Sequence, residues 1–225
     1  MSKLSQVLAK SFSLMVSLPG NRPELAVAAV EAGAHSIKVH LNCYHHASQI
    51  TYGSWAQERS VLKEILAAVK VPVGLVSGEA EQPSPEDWQE ILAAGFDFWD
   101  LFAKFAPPRY LSLPLGRMVA VDSSWTPELV AELAALGVQV IEGSVIPKTE
   151  YGTPLNLVDL APYARLARAC SMPVLIPSQK ALLPEDIPML RRTGVAGVTI
   201  GAIVTGLDVG TLRSATEAFA QACAR

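Results

Sequence analysis

The chain has almost no charge excess: 18 basic residues against 21 acidic ones leave a formal net charge of −3. A surface that holds nucleic acid through its phosphates carries a clear basic excess, so that class of function is set aside. Cysteine is scarce, with Cys43, Cys170 and Cys223 the only three. They are too few and too scattered for a disulfide framework, and the expectation is a reducing, cytoplasmic setting. No apolar run approaches the length of a membrane span. The N-terminal stretch has no uninterrupted hydrophobic core before a small-residue cleavage site, so neither a membrane nor a secretory partner is expected. No low-complexity segment or linker divides the chain. Histidine is rare too, and all four fall between 35 and 46.

What the chain has in quantity is a repeat. Pro-Glu stands at 23–24, 85–86, 127–128 and 184–185, and ten residues after each Pro comes Gly33, Gly95, Gly137 or Gly194. Proline suits the first turn of a helix, the acid beside it suits the positive end of the helix dipole, and glycine suits the position just past a helix end. Apolar runs follow each glycine, at 35–41, 96–102, 138–145 and 195–204, and others precede each Pro-Glu, at 12–18, 71–77, 117–124 and 172–178. Further helices read from 54–69, 158–169 and 209–224, while 103–116, with three prolines, has room for one turn at most. Eight strands alternating with helices predict a single (β/α)8 TIM barrel over 1–225, with 2–10 as a short helix closing its bottom. The chain length and a hydrophobic content of 50% suit one such barrel.

Active sites on this fold sit at the C-terminal ends of the strands, so polar residues of inward parity at those ends are the candidates. Lys38, His40 and Asn42 share one parity. A lysine within an apolar strand has nowhere to extend except the barrel mouth. Asp100, Asp122 and Glu142 each end an apolar run. Buried carboxylates need partners. They form either a structural salt-bridge ring with Lys38 or a general base with Lys38 as acid or electrostatic clamp. If the route is covalent, Lys38 or Lys148 is the amine. His40, Cys43, His45 and His46 offer ligands for a metal-dependent alternative, but without a standard zinc spacing, and no metal or cofactor is assigned. Near the last two strands, Gly201 and Ala202 at a helix start, with Ser178 and Lys180, are the candidate phosphate site.

Seven stretches carry a resemblance: LMVSLPG (14–20), AVAAVEAGAHSIKV (26–39), VPVGLVS (71–77), FDFWDL (96–101), VQVIEGS (138–144), MPVLIPSQKALLPED (172–186) and VTIGAIVT (198–205). In this order they resemble the N-acetylmannosamine-6-phosphate epimerases, phosphate-binding barrels of the ribulose-phosphate type. The resemblance implies a basic residue on the second strand, matched by Lys38. It also implies a catalytic lysine at the end of the third strand, where Ser77 stands, and an acid, Gly and Arg after the seventh, where Ser178, Gln179 and Lys180 stand. A second-strand acid is replaced by His40, and a first-strand glutamine has no counterpart near Ser17. Val39-His40-Leu41 is also similar to the metal-dependent pentulose-phosphate epimerases, whose other ligands are missing.

The expected function is therefore an enzyme of isomerase, epimerase or lyase type. It would move a proton next to a carbonyl in a small phosphorylated metabolite of carbohydrate metabolism, by chemistry other than that epimerisation. The alternative is a barrel that binds a phosphorylated ligand without turnover, or a subunit of an assembly. The partners expected are the metabolite and, at most, a second copy of the chain in a homodimer.

Overall fold

The computed structural model describes residues 2–79 and 81–225. Eight parallel strands close into a barrel: β1 (Ser13–Ser17), β2 (Ser36–His40), β5 (Val73–Val76), β6 (Phe98–Phe102), β7 (Gly116–Val121), β8 (Val140–Gly143), β9 (Val174–Pro177) and β10 (Gly197–Ile200). Two short strands, β3 (Tyr44–His45) and β4 (Ile50–Thr51), pair antiparallel as a hairpin over the end of β2. Round the barrel the order is β1-β10-β9-β8-β7-β6-β5-β2, so each strand lies beside its predecessor in sequence, as right-handed βαβ connections require.

The Pro-Glu/Gly repeat takes up the expected geometry. Helices α2 (Pro23–Glu31), α4 (Pro85–Ala94) and α5 (Pro127–Ala135) start at their prolines, and Gly33, Gly95, Gly137 and Gly194 lie at φ 100°, 99°, 92° and 89°. The left-handed backbone of these residues ends each helix at low steric cost. Helices α3 (Trp55–Ala68), α6 (Leu157–Ala169) and α9 (Val209–Ala224) complete the outer layer with the short α8 (Ala202–Thr205). The fourth copy of the repeat departs from the others. Pro184–Asp186 is a 3-10 turn leading into α7 (Ile187–Arg192). Pro188 has no N–H for the carbonyl four residues back, so a regular α-turn cannot start at Pro184. The proline-rich stretch after β6 holds one 3-10 turn, Pro108–Ser112.

At the N-terminal end of the barrel lies α1 (Lys3–Leu8). Its Leu4 and Leu8 cluster with the inward-facing Met15, Phe98, Met118, Val140 and Leu175. Asp97 accepts the backbone N–H groups of Lys3 and Leu4 at 2.9 and 2.8 Å, which satisfies first-turn donors that have no partner within the helix. Large residues fill the interior because small ones face them. Gly74 aligns with Phe98 on the neighbouring strand, and a Cβ at Gly74 would stand 2.1 Å from the Phe98 ring. The Phe98 ring is fully buried and has no room to retreat. Gly74→Ala should therefore lower the stability read from urea unfolding by about 1–3 kcal/mol, the usual range for an overpacked core.

Candidate active site at the barrel mouth

Above the apolar layer the interior becomes polar. On β2, Ser36, Lys38 and His40 face inward; on β6, Asp100 follows Phe98 at the next inward position, and Glu142 does the same after Val140 on β8. The Lys38 ammonium donates to Asp100 Oδ2 at 2.6 Å and to Glu142 Oε1 at 2.5 Å. All three residues are buried, with 5%, 2% and 6% of their surfaces exposed. Charges this dry survive only when paired, and removing one partner leaves an uncompensated charge. Burial by itself lowers the pKa of Lys38, but the two carboxyl groups outweigh it and hold the ammonium above its ordinary value. Burial, with Asp100 beside it, pushes Glu142 up to about 7 against the opposing pull of Lys38.

These groups form the floor of a cavity of about 500 Å³ at the C-terminal strand ends, and His40 and Asp122 also line it. Asp122 does not join the triad. Its Oδ2 accepts from Lys104 at 3.0 Å, and its Oδ1 accepts both the Ser124 N–H and hydroxyl. The Ser124 hydroxyl first, then Lys104, hold its carboxyl down at about 2.

His40 stacks on Tyr52 at 4.8 Å and tilts against His45 at 4.4 Å, and its Nε2 lies 3.4 Å from Ser17 Oγ. Burial first, then His45 and Lys38, keep His40 neutral, and burial with Lys38 and His46 brings His45 down to about 4. His45 is also tied by its Nδ1 to the Ser48 hydroxyl at 2.7 Å. Among the described residues no group of three or more His, Cys, Asp or Glu side chains is arranged to hold a metal ion. Cys43, His45 and His46 sit in the hairpin wall. Burial raises the Cys43 thiol to about 12, away from a ligating thiolate.

At the β9–β10 side, the Gly201 N–H donates to Ser178 Oγ at 2.9 Å, and α8 begins at Ala202. Lys180 is a correction to the expectation from sequence. It is not part of this wall: its ammonium is buried between Glu150 Oε2 at 3.0 Å and Asp159 Oδ2 at 3.1 Å. Position 180 lies three residues past the end of β9, where strand alternation no longer applies, and its side chain turns towards α6, whose first turn supplies Asp159. Gln179 lines the cavity, donating to Tyr151 Oη at 2.6 Å. Sequence reasoning also missed Phe102, Lys104, Phe105 and Tyr151, all of which line the cavity. Phe102 has the parity of Asp100 and lies within reach of that signal; Tyr151 comes from a loop and has none.

No protein-family model and no curated protein matches the chain. Solved structures do. A Pyrococcus furiosus thiamine phosphate pyrophosphorylase superposes with a TM-score of 0.68 at 16% identity over 98% of both chains. A Mycobacterium tuberculosis tryptophan synthase structure gives 0.70 at 17% over 99% of both. The (S)-3-O-geranylgeranylglyceryl phosphate synthase of Thermoplasma acidophilum, solved with its substrate sn-glycerol-1-phosphate, gives 0.67 at 13% over 99% and 98%. The fold they share with this chain is the closed (β/α)8 barrel. At these identities the likeness is one of fold. No helix among the described residues is long and apolar enough to cross a membrane.

The Glu142 shift sets a pH dependence. A carboxyl whose pKa is about 7 in the folded barrel against 4.5 ordinarily binds more protons folded than unfolded between those values. Its contribution to stability is full below about 4.5 and is lost as pH rises through 7. Urea midpoints of the wild type should fall over that window relative to Glu142→Gln, in which this slope disappears. A wild-type profile parallel to that of the variant would contradict the assignment.

Proposed function

We propose that this protein is an enzyme that moves a proton next to a carbonyl group in a small phosphorylated metabolite. The observation that carries the reading is Glu142 held 2.5 Å from a buried ammonium on the floor of a cavity of ligand size, where burial lifts its carboxyl group towards neutrality. A general base works best when its pKa lies near the operating pH. At neutral pH Glu142 exists in both forms, so it can take a proton and return it. Lys38 stays protonated between its two carboxyl partners. It suits the negative oxygen of an enolate, and it does not suit imine formation, which needs the neutral amine. Asp100 keeps the ammonium in place, and neutral His40 with Ser17 offers hydrogen bonds to the reacting portion. Asp122 sits at the rim, where it orients Lys104.

The phosphate is assigned to the backbone of Gly201 and Ala202 at the start of α8, with the Ser178 hydroxyl turning from the Gly201 N–H to the anion. Similar barrels named for thiamine phosphate, or solved with sn-glycerol-1-phosphate, support a phosphorylated ligand. Epimerisation of N-acetylmannosamine 6-phosphate is not the reaction proposed, because Ser77 and Ser178 replace the lysine and the acid that the resemblance calls for. Isomerase, epimerase and lyase chemistry can all begin with a proton transfer of this kind. A barrel that only binds its ligand is the competing reading, and a triad of ionisable groups in an apolar mouth weighs against it.

The test is proton exchange. Phosphorylated aldehydes and ketones incubated in D2O with the protein should lose the NMR signal of the C–H next to the carbonyl. Glu142→Gln and Lys38→Met should each slow the loss by about a hundredfold or more. Borohydride should leave no adduct on Lys38. Undiminished exchange in Glu142→Gln would remove Glu142 as the base, and a borohydride-stable adduct on Lys38 would replace the charge clamp with an imine. Tight binding of the same compounds with no exchange would favour the binding-only barrel.

A further inference from the structure

The cavity has two unlike ends. Strand β10 carries the Gly201 end, and β6 stands directly across from it, with three strands between them in either direction round the barrel. A ligand anchored at Gly201 and reaching over the triad therefore arrives at the C-terminal end of β6. There Phe102, at the inward position above Asp100, meets Phe105 edge-on, with ring centres 6.4 Å apart and planes at 89°. The Lys104 ammonium lies 5.4 Å from both rings. Ile146 and Pro147, from the segment after β8, continue the apolar wall.

The polar groups nearest the ring pair are engaged with one another, while Ser123 and Lys148 line the cavity further round. Lys104 and Asp122 face each other at 3.0 Å, and the other Asp122 oxygen takes both donors of Ser124. A chain of sugar hydroxyls laid against this wall would exchange water for phenyl and aliphatic carbon, and each unpaired hydroxyl costs binding. A flat apolar group removes carbon surface from water instead and packs on the edge-to-face ring pair.

We infer that the metabolite carries an aromatic ring at the end remote from its phosphate, seated against Phe102 and Phe105. This rests on the phosphate reading above and narrows it: the substrate class is an aryl-bearing phosphate ester rather than a polyhydroxylated sugar phosphate. Glu142 and Lys38 then lie beneath the segment joining ring and phosphate, where the carbonyl would be.

Calorimetric titration of the whole chain with inorganic phosphate, propyl phosphate, 3-phenylpropyl phosphate and glucose 6-phosphate separates the two claims. The phenylpropyl ester should bind about tenfold or more tighter than either propyl phosphate or glucose 6-phosphate. Phe105 is half-buried at the rim, so Phe105→Ala should still fold, as circular dichroism would check. It should bring the phenylpropyl affinity down towards that of propyl phosphate, while Phe105→Tyr retains the gain. If glucose 6-phosphate binds as tightly as the phenylpropyl ester, or Phe105→Ala leaves the difference intact, the ring site is wrong and the phosphate reading stands. If neither inorganic phosphate nor propyl phosphate binds, the phosphate reading falls and this inference falls with it.

Discussion

One ammonium shared by two carboxyl groups, in a barrel interior that excludes water, is the interaction on which the rest of the site depends. Desolvating three ionisable groups is costly, and the short contacts of Lys38 with Asp100 and Glu142 offset that cost only while all three stay in place. The layer beneath them makes this possible. Phe98, Met118, Val140 and Leu175, with Leu4 and Leu8 below, pack as a buried apolar layer at the N-terminal end of the barrel. The polar layer can then be both dry and reachable from one side. The same dryness lifts Glu142 towards neutrality and keeps His40 uncharged, so packing at one end of the barrel sets the proton affinities at the other.

The loops above the triad are tied down unequally. The segment after β8 is held twice, by Lys180 against Glu150 and Asp159 and by Gln179, which reaches both Tyr151 and the backbone of Ile146. The hairpin after β2 is braced from beneath by the His40, His45 and Tyr52 rings and by the His45–Ser48 contact. The rim above β6 and β7 has lighter restraint: Lys104 and Asp122 meet near solvent, where an ion pair contributes little. The barrel mouth therefore joins two braced walls to a softer one, and the aromatic pair Phe102 and Phe105 belongs to the softer side.

Much of this is legible in the amino-acid sequence because it rests on local rules. A proline that starts a helix and a glycine that ends it act within one turn, so the alternation of strands and helices, and with it the barrel, can be read directly. Lys38 can be read as well, since a lysine in an apolar strand must find a polar exit. Legibility ends where partners come from distant segments. Lys180 has the look of a free cation beside a phosphate loop, but Glu150 and Asp159, thirty and twenty-one residues earlier in the chain, take up its charge. Asp122 resembles Asp100 and Glu142 in sequence, yet it lies just past the end of β7, where Lys104 from the neighbouring loop reaches it first. The β3–β4 hairpin leaves no mark in the sequence because two-residue strands carry no periodicity.

By itself, then, the sequence determined the repeat, the strand parity and the inward positions of Lys38, Asp100 and Glu142, because backbone sterics and side-chain alternation act between near neighbours. Which of those residues touch was decided only by the tertiary structure. Lys38 meets Asp100 sixty-two residues away and Glu142 a hundred and four away, and closing eight strands into a ring is what brings their side chains into one interior. Whether a carboxyl group becomes a base near neutrality or a structural counter-ion follows from its burial and from the charge beside it, and neither exists until the barrel has closed.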